Sequence, residues 1–437
     1  MAMRRPEWKD QLTHRGAEGL ALVRAARAAQ RLLDANPAEI QAEADRRAGD
    51  VFRAARTAEP YRTLWAGLDE VRSTRDLAEL PVVDRSELQS VPLEERLTVP
   101  REGLAERSTS GTTGEPLITV RSDDESRMLD ALTWRQFRAQ GIPPEAKRLE
   151  MDLERRRQRA KLEVSGNVLN LWVPETPNTI ARIIRSEGVE VLRGTPTCLV
   201  EVAEELGPTQ MKGVNTAGEA RLASDAELLQ RAFGVPPMDT FGSNEVGPVS
   251  WECPSGSGYH VNADTVFLEV LDEDGRPAPP GEPGDVIVTA LWNRTAPIVR
   301  YRLADIASLQ EGPCPCGITL PLMGTPEGRS MDWVVAPSGR RVSPFRVMLV
   351  TLLGEDAGPA VRRYRVIQRA TDDFLLEIAW ANGRRQDVVD RIQPAYSWLL
   401  GAPVHVECVD VPEIPLGPSG KFRQVTSLVN AAARSRV

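Results

Sequence analysis

The chain has 437 residues, 41% of them hydrophobic and 27% charged, and a formal net charge of −8. This length predicts two or three domains. The net negative charge argues against a protein that binds nucleic acids or an anionic membrane surface. The sequence has neither a membrane-length apolar run nor the apolar core of a signal peptide, and its five cysteines suit a reducing cytoplasm better than a disulfide framework.

In chain order, the first predicted elements are helical. Apolar residues recur at helical spacing within residues 6–58, and short apolar segments between prolines and charges predict short helices and loops at 60–107. From residue 108 to about 325 the pattern alternates, with predicted strands at 189–194 and 285–291 and predicted helices at 181–188 and 198–206. This alternation indicates a sheet with helical crossovers.

Turn residues at 324–330 predict a linker to a small C-terminal unit. Beyond it, strand patterns at 363–370, 373–381 and 403–411 and an amphipathic helix at 384–400 predict an α+β domain. We therefore expect a helical N-terminal part at 1–107, an α/β core at 108–328 and a C-terminal domain at 329–437.

The segment 108–116, STSGTTGEP, is the first candidate ligand loop. Its hydroxyl groups and consecutive backbone N–H groups suit phosphate oxygens, and its glycines allow a close approach of the backbone. A solvated turn is the alternative, and no Gly-Lys-Ser/Thr follows at the spacing of the Walker motif.

Three further groups of segments carry side chains that suit a magnesium nucleotide. TAGEA (216–220) and FGSNEVG (241–247) offer an aromatic ring beside glycine for a planar base, and Glu245 offers a carboxylate of the kind that Mg²⁺ prefers. Asp305 can accept both hydroxyls of a ribose, and Arg329 can reach a phosphate. Lys421 lies on a Gly/Pro-rich loop near the C-terminus. Taken alone, each segment is also consistent with a surface turn, an ion pair or a mobile charge.

Three of the five cysteines and one of the three histidines form the pattern C-x6-H…C-x-C, with members Cys253, His260, Cys314 and Cys316. Three thiolates and an imidazole suit tetrahedral zinc with no open position, which predicts a structural rather than a catalytic metal. The alternative is a group of free thiols beside an exposed histidine. Cys198 and Cys408 lie in apolar contexts and are predicted to be core residues.

In this order and at these separations, the segments resemble those of the adenylate-forming superfamily of acyl-CoA synthetases, and within it the phenylacetate–CoA ligase family. The resemblance covers nearly the whole chain and is carried by AEPYRTLW (58–65), DLAELPVVDRSEL (76–88), STSGTTGEP, RGTPT (193–197), TAGEA, FGSNEVG, IVRYRLADI (298–306) and PSGKFR (418–423). It implies an α/β fold with a large multi-subdomain N-terminal domain and a small mobile C-terminal α+β domain. The family also includes members with a zinc site.

The resemblance implies ATP-dependent adenylation of a carboxylic acid, by the family default an aryl acid, with release of pyrophosphate and transfer of the acyl group to CoA. Its implied catalytic residues are Lys421, Glu245 (as the Mg²⁺ ligand) and Asn244. Its implied nucleotide-binding residues are Ser110, Gly111, Thr112, Thr113, Gly114, Gly218, Glu219, Ala220, Phe241, Gly242, Ser243, Asp305 and Arg329. Thr195, Pro196 and Thr197 would line the acid pocket. No nucleic-acid or membrane partner is expected, and a homodimer is left open.

Two departures from the family pattern keep alternatives open. Glu115 stands where the family's phosphate loop usually has lysine, which favours weaker ATP binding and admits a non-catalytic nucleotide-binding protein. The stretch between the phosphate loop and TAGEA is short, which admits an amine or hydroxyl acceptor in place of CoA.

Overall fold

The computed structural model describes Leu33 and residues 35–68, 70–108, 117–143, 146–152, 161–165, 168–172, 177–329, 333–342, 344–351, 360–415 and 423–429. These residues belong to two compact units. The first consists of residues up to Glu269 together with Ile287–Leu303 and Leu309–Gly324. The second consists of Val270–Val286, Ala304–Ser308 and the chain from Thr325.

The helices of the first unit begin at recognisable caps. Asn36 and Ser122 each accept a hydrogen bond from a backbone N–H three residues on, and a glutamate at that position bonds back to the cap. Thr195 caps the helix that begins with Pro196. The helices are α1 (Pro37–Ala55), α2 (Tyr61–Leu64), α3 (Thr74–Ala78), α4 (Arg85–Ser90), α5 (Asp123–Ala139), α6 (Pro177–Glu187), α7 (Pro196–Leu206) and α8 (Ala223–Phe233), with a 3-10 helix at Leu93–Arg96.

Within the described ranges, the largest sheet has nine strands in the order β14-β10-β9-β8-β7-β6-β3-β5-β4. Neighbouring strands from β8 to β5 are parallel, so their carboxyl ends lie at one edge. The strands are β3 (Arg148–Asp152), β4 (Lys161–Ser165), β5 (Val168–Trp172), β6 (Val191–Gly194), β7 (Gly213–Ala217), β8 (Met238–Ser243), β9 (Gly247–Glu252), β10 (Tyr259–Val261) and β14 (Leu322–Met323). A separate hairpin pairs β1 (Ala105–Ser108) with β2 (Ile118–Arg121).

The two faces of the large sheet differ in chemistry. On one face, aliphatic side chains of β3, β5, β6 and β7 form a buried core with α6, α7 and α8. On the other face lies α5, whose Gln136 accepts a hydrogen bond from Thr240 of β8. The continuous apolar core therefore lies on the face covered by α6, α7 and α8, and the face covered by α5 carries several polar groups.

A second sheet, of order β11-β12-β13-β15, contains β11 (Val266–Leu271), β12 (Gly284–Ala290), β13 (Tyr301–Ala307) and β15 (Gly328–Arg329). Its last strand falls inside the predicted 324–330 linker. Gly328 and Arg329 are extended there because they pair with Ile306 and Asp305 of β13. Sequence patterns could not show this pairing, since turn residues do not exclude a two-residue strand.

The second unit also contains the predicted C-terminal α+β elements. Its sheet has the order β20-β19-β18-β21, with β18 (Val361–Ala370), β19 (Asp373–Trp380), β20 (His405–Asp410) and β21 (Val425–Ser427). Its helices are α9 (Pro344–Thr351) and α10 (Gln386–Leu400), and a small hairpin pairs β16 (Val334–Val335) with β17 (Arg341–Val342). Tyr364, Phe374 and Tyr396 lie in its buried core.

The mixed α/β fold class predicted from the sequence is confirmed, as are the strands at 189–194 and 285–291 and the helices at 181–188 and 198–206, each within a few residues. Residues 6–32 of the predicted N-terminal helix lie outside the described residues. Cys198 and Cys408 are partly buried at the margins of the two cores. None of the described helices is long and apolar enough to cross a membrane.

Candidate functional site

The carboxyl edge of the large sheet brings together three of the segments predicted to bind ligand. Thr195–Thr197 follows β6, Gly218–Ala220 follows β7, and Phe241–Ser243 forms the end of β8. These strands are adjacent and parallel, in the order β6-β7-β8. Ligands of open α/β sheets bind at this kind of edge, because loops diverge there and leave a crevice.

The predicted acid-pocket segment contacts the predicted adenine segment. The carboxylate of Glu219 accepts a hydrogen bond from the backbone N–H of Thr197 at 3.4 Å. Gly218, with φ of 82°, allows the chain to turn sharply after β7, a conformation that side-chain-bearing residues rarely adopt. The turn leaves 3.9 Å between the Cγ of Thr195 and the position that a Cβ on Gly218 would occupy.

The hairpin between β8 and β9 fixes the predicted magnesium segment. Gly242 packs so closely on the opposite strand that a Cβ would lie 2.2 Å from the carbonyl oxygen of Gly247. The turn at 244–246 is held by Trp292, whose indole N–H donates to the carbonyl of Val246 at 3.1 Å. The hairpin therefore presents Asn244 at the surface and Glu245 in a buried position.

Two arginines surround this turn, and sequence analysis missed both. Arg85, at the start of α4, forms an ion pair with Glu245 at 3.0 Å. Arg121, at the end of β2, donates to the carbonyl of Asn244 at 3.1 Å and lies over the Trp292 ring. Arg85 belongs to a segment quoted for the family resemblance, but nothing local links it to a carboxylate 160 residues further on. The two arginines place positive charge at the turn, of the kind that binds phosphate oxygens.

A buried polar network underlies the edge. Asp239 of β8 accepts hydrogen bonds from the hydroxyls of Thr216 at 2.5 Å and Tyr259 at 3.1 Å. Its backbone N–H donates to Glu252, which also pairs with Arg221 at 2.8 Å. Burial raises the pKa of Asp239 to about 6, against the lowering effect of the Thr216 hydroxyl. The network ties the ends of β7 and β8 to the hairpin.

The strand that leads to Asp305 is anchored in the first unit by segments from the N-terminal third. Tyr61 accepts a hydrogen bond from the backbone N–H of Val299 at 2.9 Å, and Val83 exchanges backbone hydrogen bonds with Arg300 and Arg302. Arg300, with φ of 44°, forms an ion pair with Glu269 at 2.8 Å. These contacts give the AEPYRTLW and DLAELPVVDRSEL segments a structural role.

In the second unit, Asp305 and Arg329 lie opposite each other on paired strands. Asp305 is buried, and Ala304 before it has φ of 61°, a strained value for a residue with a side chain. The two predicted ribose and phosphate contacts are thus neighbours. Strain of this kind is commonest where a backbone is held for a ligand.

The predicted metal ligands meet in one cluster of the first unit. The ligand atoms of Cys253, His260, Cys314 and Cys316 all lie within 4.8 Å of one another. Cys253 follows β9, His260 lies on the neighbouring strand β10, and the two other cysteines occupy a turn closed by Gly317. For zinc–sulfur bonds of about 2.3 Å, tetrahedral ligands are separated by about 3.8 Å, so the cluster has the dimensions of such a site.

The contacts around the cluster favour metal-binding forms of its side chains. The Nδ1 of His260 lies 3.3 Å from the carbonyl of Leu320, which leaves Nε2 directed at the Cys316 sulfur, 3.2 Å away. Burial lowers the pKa of His260, which favours the neutral imidazole. Backbone N–H groups of Ser255 and Ile318 lie within 3.5 Å of the Cys253 and Cys316 sulfurs.

Six predicted site residues lie outside the described residues: Ser110, Gly111, Thr112, Thr113 and Gly114 of the phosphate loop, and Lys421. Their roles stay predictions, as does the effect of Glu115. For Arg329 the structure gives the strand position and not the side chain.

No protein-family model matches the chain. It is similar to curated proteins named phenylacetate–coenzyme A ligase, with 26% identity over 295 residues to that of Escherichia coli K12 and 26% over 292 residues to that of Aromatoleum evansii. Each match covers 61% of this chain and 64% of the relative, so the chain matches less than two thirds of the relatives' length.

Among solved structures, the chain is similar to a 2-hydroxyisobutyryl-CoA ligase in the postadenylation state, with a TM-score of 0.73, 18% identity, and coverage of 93% of this chain and 94% of the other. An anthranilate CoA ligase in complex with anthranoyl-AMP gives a TM-score of 0.53 at 17% identity, covering 78% and 68% of the two chains.

These similarities define the chain first by fold: it has the α/β fold of the adenylate-forming CoA ligases. In sequence it is similar to phenylacetate–CoA ligases, in agreement with the resemblance predicted from the motifs.

Proposed function

We propose that this protein is an AMP-forming acid ligase, which adenylates a carboxylic acid with ATP, releases pyrophosphate and transfers the acyl group to CoA. The observation that carries the proposal is that the RGTPT, TAGEA and FGSNEVG segments lie at one sheet edge. There Glu245, in the turn of the last segment, forms an ion pair with Arg85. The similarity to phenylacetate–CoA ligases supports the same reaction.

In the proposed reaction, the acid carboxylate attacks the α-phosphate and pyrophosphate leaves. The protein contributes mainly positioning and charge neutralisation. Glu245 would hold Mg²⁺, which supplies positive charge to the phosphates when bound. Arg85 would break its ion pair with Glu245 and bind a phosphate oxygen instead. Arg121 would hold the turn through its hydrogen bond to the Asn244 carbonyl. Ser110, Thr112 and Thr113 would cradle the β- and γ-phosphates.

The remaining proposed contacts hold the base, the ribose and the acid. Gly218–Ala220 and Phe241–Ser243 would line the adenine slot, and Asp305 would accept the ribose hydroxyls. Thr195–Thr197 would line the acid pocket. Lys421 would bridge the carboxylate and the α-phosphate.

CoA is the proposed acceptor because the named relatives and structural neighbours are CoA ligases. Transfer to an amine or hydroxyl and a role as a non-catalytic nucleotide-binding protein are not favoured by this similarity.

The proposed zinc is structural. Three thiolates and one imidazole fill a tetrahedral shell, so no position remains for substrate. We propose a reducing compartment, the cytoplasm, because the cluster requires free thiols and all five cysteines are free.

Acid-dependent exchange of labelled pyrophosphate into ATP tests the function. A panel of aryl and short aliphatic acids is assayed first without CoA and then for thioester formation with CoA. We expect exchange that needs both an acid and Mg²⁺, and AMP release that needs CoA. Exchange followed by no thioester would overturn the CoA step alone, whereas no exchange with any acid would overturn the adenylation.

A further inference from the structure

The face of the large sheet that packs against α5 carries a row of polar side chains. Glu150 of β3 lies opposite Arg193 of β6, and Arg193 lies opposite Asn215 of β7. Adjacent strands are about 4.8 Å apart, so the three residues form a continuous line across the sheet. Arg193 and Glu150 pair at 3.3 Å.

Asn215 is the member of this row whose presence packing does not explain. Its side chain is fully buried, and neither its amide nitrogen nor its amide oxygen has a hydrogen-bond partner in the part of the chain that the structure describes. A buried polar group without partners lowers stability, because its hydrogen bonds to water are lost and not replaced. An isosteric leucine would avoid this cost, so packing alone gives no reason for an amide at this position.

Arg148 adds unused donors on the same face. It is 5% exposed and lies over the rings of Trp134 and Phe137 at 4.6 and 4.9 Å. Its Nη2 is 3.6 Å from Glu150, while its Nε and Nη1 have no hydrogen-bond partner among the described residues. Buried guanidinium groups are normally fully bonded, so this face holds spare donors at two points.

Helix α5, which packs on this face, contributes an acidic residue. Asp130 lies one turn before Trp134, and its electrostatic neighbours are Glu150, Arg148, Arg193 and Arg121. Burial raises its pKa, with the Glu150 charge acting in the same direction, although its side chain keeps an exposed surface. The negative charges of Glu150 and Asp130 balance the positive charges of Arg148 and Arg193. The face therefore suits a neutral polar group rather than a charged one.

The polar row lies within reach of the carboxyl edge. Asn215 is two residues before Ala217, the last residue of β7, or about 7 Å along the strand. Ala217 and Gly218, which lie between Asn215 and the edge, are small. Arg121, which contacts the Asn244 carbonyl at the edge, also lies among the neighbours of Asp130. An acid whose carboxylate binds at this edge would therefore be long enough for its distal end to reach Asn215.

We propose that Asn215 is a specificity-determining residue, and that the acid carries a hydroxyl group on the part distant from its carboxylate. A hydroxyl both donates and accepts, which matches an amide with two unused atoms on a face that also carries unused arginine donors. An unsubstituted aryl or aliphatic acid would leave these groups unpaired on binding, which sites built for a hydroxyl reject strongly. The inference rests on the proposed adenylation.

The test compares phenylacetate with its 3- and 4-hydroxy derivatives, and benzoate with its hydroxy derivatives, in acid-dependent pyrophosphate exchange. We expect kcat/KM for at least one hydroxylated acid to exceed that of its parent by tenfold or more. Asn215→Leu should reduce this ratio at least tenfold with little change in the KM for ATP, and should raise Tm by about 2–4 °C. Asn178→Leu, at an exposed asparagine of α6, is the matched control and should keep the ratio.

The outcomes distinguish failure of the Asn215 inference from failure of the proposed adenylation. Exchange that is as fast with the parent acids, or a ratio unchanged by Asn215→Leu, would overturn the inference and leave the adenylation standing. A lower Tm in the leucine variant together with an unchanged ratio would make Asn215 a structural residue. If that variant does not fold, Asn215→Ala, which adds no bulk, gives the same ratio test. No exchange with any acid would overturn the adenylation and the inference together.

Discussion

The metal cluster and the carboxyl edge belong to the same unit, yet they are built in opposite ways. In the cluster, four ligand atoms from β10 and two turns already lie within 4.8 Å of one another. At the edge, the functional groups are bonded to other parts of the protein: Glu245 to Arg85, and Glu219 to the N–H of Thr197. The cluster is complete without substrate, whereas the edge holds contacts that a ligand can replace.

This difference predicts opposite signatures under mutation. Changes in the cluster should lower stability first and activity as a consequence. Changes at the edge should lower activity while stability stays near that of the parent protein.

The largest effect is expected at the cluster. Cys314→Ser should reduce zinc from about one ion per chain to well below one and should lower Tm, because structural zinc contributes about 10 kcal/mol or more to the folded state of small zinc domains. Elemental analysis and thermal melting of protein purified without chelator measure both. Cys408→Ser, at a half-buried thiol on β20 outside the cluster, is the control. Zinc well below one ion per chain in the parent protein would leave only the free-thiol interpretation, and full zinc content in the Cys314 variant would remove Cys314 from the site.

At the edge, Glu245→Gln should lower pyrophosphate exchange by about 10²-fold, since it removes charge that stabilises the phosphates through Mg²⁺. The amide retains the shape of the side chain and can still accept from Arg85, so Tm should change little. The exposed Glu227 of α8 provides the control variant, Glu227→Gln. Parent-level exchange, or a loss that simply follows a fall in Tm, would contradict the magnesium role.

A smaller effect is expected at Asp305. If Asp305 holds the ribose as proposed, replacement by alanine removes a charge-assisted hydrogen bond and should weaken ATP binding by about 1.5–3 kcal/mol, or roughly 10–150-fold. Titration calorimetry with ATP measures it directly. Asp274→Ala, at an exposed site in the same unit, should bind ATP like the parent protein. Equal affinities in the two variants would remove Asp305 from the site.

The smallest effect depends on pH. Burial raises the pKa of Asp239 to about 6, so ionising this carboxyl costs stability in the folded state. The cost is absent below pH 4, grows between about pH 4 and pH 6, and reaches at most about 3 kcal/mol. Asparagine carries no charge, so the Tm of Asp239→Asn relative to the parent protein should rise from pH 4 to pH 7. A flat or falling difference would contradict this, and the exposed Asp390→Asn should show no such trend.

Sequence reasoning succeeded where the chemistry is local. The C-x6-H…C-x-C pattern predicted the members of the cluster because two turns and a hairpin carry all four ligands. The strand at 189–194 was predicted, and the structure places the RGTPT, TAGEA and FGSNEVG segments at the ends of β6, β7 and β8. The α/β class followed from the alternation of strands and helices.

It failed where the contact joins distant segments. The Arg85–Glu245 pair spans 160 residues, and either residue alone reads as a surface charge. The short strand at Gly328–Arg329 exists only because β13 offers unpaired backbone groups. Asn215 lies in a strand whose pattern gives no sign that its amide is buried without a partner. Burial and partnership are properties of packing, which a local pattern does not contain.

The proposal that the carboxyl edge supports adenylation is tested most directly by mass-spectrometric detection of the acid–AMP adduct. The parent protein, Lys421→Ala and the exposed-lysine control Lys212→Ala are mixed with ATP, Mg²⁺ and a panel acid, without CoA. We expect up to one adduct per chain from the parent and the control, with equimolar pyrophosphate, and little from the Lys421 variant. Formation of ADP, or an adduct at the parent rate from Lys421→Ala, would contradict the proposed reaction or the role of its lysine, respectively. Absence of any adduct with every acid would contradict adenylation itself.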